Sequence, residues 1–385
     1  MSTTAQILWT ENEQERCLRW QSENHHAVPS KVVCIDDSMN ADTAYRLMCE
    51  GTALLWRGDF QNARQLMLAV ARRLDAPKRS HQRRAKSPPA SDASPRAIFF
   101  AHRQKQAQRA HILAMLLIEV EANFKINLRR APDLSLAMQE AYGEQAHGFI
   151  CSLRELLGLV GAHEWRKNGV YIPALDNKIH PHYGVFSPVR GEYLDLIAQA
   201  PLPNTTIAFD IGTGSGVIAA LLARRGIQKI IATDQDPRAL QCAEENLTRL
   251  GYASQVELQK IDMFPEGRAA LIVCNPPWLP ARPNSAIEYA IYDPESRMLR
   301  AFLSQVGAHL SEGGEAWLIL SDLAQHLELR SAQELQHWIA AAELEVIDKL
   351  DIRPTHAKTK DSKDPLHVAR AAETTSLWRL KLRQS

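Results

Sequence analysis

The run Asp210-Ile211-Gly212-Thr213-Gly214-Ser215-Gly216 restricts this chain more than any other segment. An apolar strand leads into it and a helical pattern follows. Glycines are required there because side chains would keep the backbone away from a ligand. After Leu196, strand-length apolar runs alternate with stretches of helical period. Strands are expected at 206–211, 229–234, 256–261, 270–275, 315–321, 344–353 and 376–382. Helices are expected at 217–225, 237–251, 295–309 and 323–342. That alternation predicts an α/β fold, a doubly wound sheet of seven strands. The linker before the last strand is polar and has no predicted crossover helix, so that strand is free to enter antiparallel.

The chain has 385 residues, a length that suits two domains. The pattern over 41–75 is helical, with a turn at Arg57-Gly58-Asp59-Phe60, and faintly resembles one tetratricopeptide unit. Helical pattern resumes at 97–128 and again near 144–160. Residues 1–164 therefore read as a mostly α-helical N-terminal domain. Short extended pieces at 169–173 and 182–186 flank Asp176-Asn177 and predict a β-hairpin connector over 165–196. The sheet domain then occupies 197–385.

A net charge of +1 gives no global pull toward nucleic acid or membrane. Between Ala71 and Ala110, however, eleven Lys/Arg face two Asp, a local net of +9. Residues 76–96, rich in Pro, Ser and basic side chains, read as an exposed mobile loop. The six cysteines form no C-x-x-C pair, so no metal site or disulfide framework is indicated. His180-Pro181-His182 offers two metal-ligand types without a third, and reads as a hairpin loop. The N-terminus lacks a leader pattern and no apolar run is long enough to span a bilayer, which together predict a cytoplasmic protein.

The glycine spacing is G-x-G-x-G, and Asp210 stands two residues before the first glycine. An acid there repels pyrophosphate and attracts an ammonium group. A helix N-terminus beside it suits a carboxylate. The strand ending at Asp234 places an acid where a ribose diol binds. The next ends at Asp262-Met263, where a carboxylate beside an apolar residue suits an adenine. Amino-acid tail, ribose and adenine together describe S-adenosyl-L-methionine. Gly212, Thr213, Gly214 and Gly216 line that expected donor site.

The tetrapeptide Asn275-Pro276-Pro277-Trp278 follows the fourth strand, at the carboxyl end where ligands bind in such sheets. The Asn275 side-chain oxygen and the Pro276 carbonyl can each take one N–H from a planar nitrogen and localise its lone pair. Tandem prolines make a stiff turn that aims both. Trp278 offers a flat surface for stacking. Asn275 also adjoins the donor site. Glu192 and Arg190 are further candidates for an acceptor pocket.

Residues 165–385 resemble the Rossmann-like class I S-adenosylmethionine-dependent methyltransferases, and most nearly the release-factor glutamine methyltransferases. The resemblance is carried by the glycine run, by Asn275-Pro276-Pro277-Trp278 with Leu279-Pro280 after it, and by Tyr292-Asp293-Pro294. It departs from that family at Trp278, where tyrosine is usual, and in the segment 186–192. It implies that Gly212, Gly214 and Gly216 line the donor, Asp234 binds ribose, Asp262 binds adenine, and Asn275 with Pro276 binds the target nitrogen. The expected partner is a macromolecular acceptor: a protein glutamine, or, as the rival suggested by the basic segment, an adenine or guanine in RNA or DNA. A donor-binding scaffold without activity is the alternative of another class; intact Asn275 speaks against it. The oligomeric state is not legible.

Overall fold

A computed structural model of the chain describes residues 5–76, 93–188, 191–283, 286–355 and 361–383. Two compact units divide the chain, one formed by 1–93 with 100–164 and the other by 94–99 with 165–385. Most of the basic loop expected at 76–96 falls at 77–92, outside the described residues.

The first unit corrects the expectation of a mostly helical domain. It holds six strands, β1 (Gln6–Glu11), β2 (Gln14–Trp20), β3 (Val32–Ile35), β4 (Ala53–Trp56), β5 (Leu116–Val120) and β6 (Phe149–Ser152). They form one mixed sheet in the order β1-β2-β6-β5-β4-β3. The helices along this stretch are α1 (Ala41–Cys49), α2 (Phe60–Asp75), α3 (Pro95–Leu113), α4 (Ser135–Tyr142) and α5 (Leu153–Asn168). The physical reason for the error is burial on both faces. All four residues of β4 and of β6 are buried, as are four of the five in β5. A short run buried on both sides shows no alternation and has the look of a buried helix segment. Ala53-Leu54-Leu55-Trp56 therefore separates α1 from α2 as a strand, and the tetratricopeptide likeness is a coincidence of spacing.

Asp59 starts α2. One carboxylate oxygen caps Gln61 N at 2.9 Å, and the other accepts from Arg129 at 2.9 Å and Arg130 at 2.6 Å. The Arg130 bond is the largest cause holding this carboxyl down at about 2, helped by the cap and Arg129 against desolvation.

In the second unit β7 (Val170–Ile172) and β8 (Asn177–Ile179) pair antiparallel. The piece expected as a strand at 182–186 is a turn instead. Nor is the hairpin a separate connector. Ile172, Leu175 and Ile179 are buried in one core with Ile197 and Leu222, so the hairpin belongs to the sheet unit. Helix α6 (Glu192–Gln199) follows.

The expected seven-stranded sheet then forms. Its elements run β9 (Ile207–Ile211), α7 (Val217–Arg224), β10 (Lys229–Asp234), α8 (Pro237–Leu250), β11 (Val256–Lys260), β12 (Ala269–Cys274), α9 (Arg297–His309), β13 (Leu310–Ser321), α10 (Leu323–His326), α11 (Ala332–Ala341), β14 (Leu344–Ile352), α12 (His367–Ala372) and β15 (Thr375–Leu382). The strand order is β11-β10-β9-β12-β13-β15-β14, and β15 alone runs antiparallel to both its neighbours. The single helix expected at 323–342 is two. Ser331 begins the second with a reciprocal capping box to Glu334, which interrupts the first. The linker expected without a helix contains α12.

Each face of the sheet has its own core. Val217, Leu221 and Trp317 lie in one, and Phe209, Ile272, Leu318 and Phe302 in the other. Full burial of one such side chain contributes about 1.5–3 kcal/mol. The sheet order reverses between β9 and β12, so a crevice opens at their carboxyl ends.

Candidate donor and acceptor site

A cavity of about 580 Å³ lies at those strand ends. Its walls come from the turn after β9, the tips of β10 and β11, the reaction tetrapeptide after β12, and segments near residues 184–187, 289–298 and 370–373. Registry explains the gathering. Ile211 pairs with Thr233 on one side and with Cys274 on the other, so Gly212, Asp234 and Asn275 emerge together.

The glycine turn is held from beneath. Gly212 N and Thr213 N both donate to the Thr233 carbonyl at 2.9 Å, and Gly214 N donates to Asp234 Oδ2 at 3.0 Å. Gly212 and Gly214 have φ of +73° and +55°. A Cβ added at Gly214 would meet nothing within 4 Å, which leaves open space over the turn for a ligand. Gly216 differs. It lies off the cavity, and a Cβ there would sit 3.0 Å from Ala243 Cβ. Gly216 is needed so that the turn can approach α8, not for direct contact with a ligand.

Asp210 also lies off the cavity, fully buried below the turn. Its Oδ2 accepts from Thr213 Oγ1 at 2.7 Å and from Ala219 N at 3.1 Å. It braces the turn and the start of α7. Its Oδ1 has no hydrogen-bond partner. Burial pushes this carboxyl up to about 7, against the lowering effect of its two donors.

Asp234 reaches the cavity from the tip of β10. Its Oδ1 accepts from Asp236 N at 2.9 Å, and burial raises its carboxyl above the ordinary range. Asp262 and Met263 line the cavity at the end of β11. Met263 has a left-handed φ of +83°, and its carbonyl accepts from Thr233 Oγ1 at 2.6 Å. Strain of this sort persists where the surroundings impose it and gathers at ligand sites. Asp262 is more than half exposed and stands 3.9 Å from the Arg297 guanidinium.

The tetrapeptide Asn275-Pro276-Pro277-Trp278 lines the cavity throughout. Trp278 is partly buried, touching both sheet cores, and its indole N–H donates to Asn275 Oδ1 at 2.9 Å. That bond was not foreseen. It occupies one lone pair of the oxygen and leaves a second for another donor. Tyr193 of α6 is a buried residue on the same cavity wall. Burial is the main cause raising the Tyr193 phenol. Sequence reading missed Tyr193. The available signal was a tyrosine on an apolar helical stripe with Leu196, Ile197 and Ala200, whose hydroxyl requires a partner.

Of the other candidates, Glu192 accepts from Thr355 N at 3.0 Å and does not line the cavity. Arg190 lies outside the described residues. Tyr292 lines the cavity, while Asp293 Oδ2 caps α9 through Met298 N at 2.8 Å. The two histidines dock the hairpin. His180 Nδ1 lies 2.6 Å from the Arg166 carbonyl, and His182 Nε2 lies 2.9 Å from Glu245 Oε2.

Residues 176–343 match the family described as Methyltransferase small domain. The release factor glutamine methyltransferase of Cereibacter sphaeroides is 38% identical over 144 residues, 34% of this chain and 51% of that protein. The chain thus spans about half of that relative's length. A putative protein N5-glutamine methyltransferase of Methanocaldococcus jannaschii is 26% identical over 167 residues, 41% of this chain and 82% of that protein. A tRNA1(Val) (adenine(37)-N6)-methyltransferase of Shewanella putrefaciens is 27% identical over 172 residues, 42% of this chain and 69% of that protein.

Proposed function

We propose that this chain, whose residues 176–343 match the Methyltransferase small domain family, moves a methyl group to a planar amide nitrogen, that of a protein glutamine. The observation that carries the reading is the Asn275 carboxamide. It stands at the tip of β12 beside the glycine turn, on the wall of one cavity shared with Asp234 and Asp262.

The donor that fits is S-adenosylmethionine, which supplies an activated methyl group. Three features suit it: the open space over Gly214, the Asp234 carboxylate for a ribose diol, and the Asp262-Met263 tip for an adenine. Asp210 acts through the turn it braces. An amide nitrogen is a poor nucleophile because its lone pair is delocalised. Asn275 Oδ1 and the Pro276 carbonyl, each accepting one N–H, draw that lone pair back onto nitrogen. The Trp278 N–H holds the carboxamide oxygen in one direction. Positioning of this kind supplies much of the acceleration when the donor is already activated.

The cavity wall favours an amide over a nucleobase in a charged polymer. Among the described residues its charged groups are Asp234, Asp236, Asp262 and Glu373 against Arg297 and Arg370, four acids and two bases. Nucleic-acid sites carry the opposite balance. Among the relatives, the release factor glutamine methyltransferase is named for this acceptor and the tRNA adenine methyltransferase for the rival. No helix among the described residues is long and apolar enough to cross a membrane.

The test is transfer of labelled methyl from the donor to cell lysate, followed by mass spectrometry of the labelled molecules. Label on glutamine side chains of protein supports the proposal. Label on RNA or DNA bases alone would replace it with the rival acceptor, and donor binding without transfer would leave only a scaffold.

A further inference from the structure

Phe99 is the one buried side chain between residues 93 and 111. It stands in the second turn of α3, and residues 94–99 belong to the second unit. Phe99 is 1% exposed, while Ile98 and Phe100 beside it are 36% and 45% exposed. A single ring is buried on an otherwise solvated stretch only where an apolar site receives it. The basic stretch 71–110 has no Phe, Tyr or Trp other than Phe99 and Phe100. Burial removes Phe99 as a platform on which a base could stack.

The receiving site is a small core apart from the two sheet cores. Phe99 shares it with Leu279, Ala281, Leu323, Ala324 and Ala369. Leu279 directly follows the reaction tetrapeptide. The Phe99 ring also meets the ring of Tyr292, with centroids 6.5 Å apart and planes tilted by 55°. Leu279 and Tyr292 both line the cavity, and Phe99 does not.

The backbone completes the connection to the reaction site. Leu279 and Tyr292 form a parallel β-bridge. Leu279 N donates to Ile291 O at 3.2 Å, and Asp293 N donates to Leu279 O at 2.9 Å. Trp278 is bonded to Leu279, and its indole N–H meets Asn275 Oδ1 at 2.9 Å. Ring on ring, backbone bridge, peptide bond and hydrogen bond thus follow one another from Phe99 to the Asn275 oxygen.

We infer that Phe99 is a positioning residue for methyl transfer. Supplied by a segment that precedes the matched region 176–343, it props Leu279 and Tyr292 so that Trp278 holds the Asn275 carboxamide toward the acceptor nitrogen. The inference rests on the role given to Asn275 above and deepens it. Removing the ring leaves a void into which neighbours relax only in part, so Leu279 and Tyr292 lose their fixed place. Leucine restores most of the apolar volume.

The experiment compares wild type, Phe99→Ala and Phe99→Leu in the whole chain. Calorimetry with S-adenosylmethionine gives the donor Kd and, from the stoichiometry, the folded fraction. The indole N–H resonance of Trp278, assigned by its loss in Trp278→Phe, reports the bond to Asn275 by NMR. Initial rates per folded molecule are measured with N-acetylglutamine N-methylamide as acceptor. We expect Phe99→Ala to keep the donor Kd, to move the Trp278 resonance and to lower kcat about tenfold with KM little changed. Phe99→Leu should bring the resonance and kcat back toward wild type. A wild-type resonance and kcat in folded Phe99→Ala would overturn the role. So would a donor Kd weakened in step with the rate, because the damage would then extend to the donor side. Should Phe99→Ala fail to fold, Phe99→Leu decides: a smaller movement of the resonance with a smaller fall in kcat supports the role, and neither change overturns it. If the wild type transfers nothing to the glutamine probe, the glutamine reading falls, and the Trp278 resonance alone decides for or against Phe99.

Discussion

Asp59 at the start of α2 in the first unit and Asp210 in β9 of the second are both buried carboxylates that accept a helix N–H, and they stand in opposite electrostatic situations. Asp59 is met by Arg129 and Arg130 as well as by a helix N–H, and its carboxyl is held at about 2. Asp210 has a hydroxyl and one N–H but no cation, one of its oxygens has no partner, and burial raises it to about 7. The first arrangement is electrostatically closed and serves the fold. The second keeps electrostatic strain beneath the glycine turn. The same contrast separates the units more widely. Arg57 in the first unit is matched by Glu11 and Glu119, whereas Asp234 and Asn275 in the second retain lone pairs toward a cavity. Buried groups left with unused hydrogen-bonding capacity mark the functional region.

The sharpest way to break this contrast is at Asn275. Asn275→Ala is expected to lower methyl transfer about 10²–10³-fold, as loss of one positioned polar group does in other active sites. Donor binding and Tm should stay near wild type. A Tm loss that accounts for the lost transfer would make Asn275 structural, as Asp59 is.

Asp234→Ala should raise the donor Kd about 10–100-fold, the consequence of losing charge-assisted bonds to a diol. Calorimetry with the donor measures this. An unchanged Kd would place the ribose elsewhere.

Trp278→Phe keeps an aromatic ring but removes the N–H that holds Asn275. We expect kcat to fall about tenfold with little change in donor Kd. Unaltered kcat would mean that stacking, not orientation of the carboxamide, is what the ring provides.

The smallest expected effects are in pH dependence, and they have opposite signs in the two units. Because the folded Asp59 carboxyl lies below its usual value of 3.8, its contribution to stability is present above about pH 4. It is lost as the pH falls through 2. Asp210 lies above the usual value, so its stability contribution is fully present below about pH 4 and declines as the pH rises through 7. Thermal melts across pH 2–8 should show Asp210→Asn flattening the decline on the upper side. Asp59→Asn should flatten the loss at low pH. Equal behaviour of the two variants would erase the distinction.

How much could be read from residues alone varied with the kind of burial. In the second unit, strands at the sheet centre are flanked by helices of clear period and by glycine or capping residues. Their boundaries were legible to within a few residues, and the antiparallel entry of β15 was open to expectation. In the first unit, β4 and β6 are four-residue strands buried on both faces. Nothing in Ala53-Leu54-Leu55-Trp56 separates a strand from a turn of buried helix.

The candidate site divides in the same way. The gathering of Gly212, Gly214, Asp234, Asp262 and Asn275 on one cavity wall was legible because each ends or follows a strand of clear pattern. The sequence by itself determined the seven-stranded sheet and the order in which the glycine turn, Asp234, Asp262 and Asn275 follow along its edge. Only tertiary structure decided that Gly216 packs against Ala243, that Asp210 braces the turn from beneath, and that the Trp278 N–H orients Asn275. Those roles depend on which groups burial brings together, Gly216 against Ala243 of the next helix and Asp210 against the N–H of Ala219, and on which side chain happens to meet Asn275. Local propensity and spacing cannot encode which distant partner a buried polar group will meet.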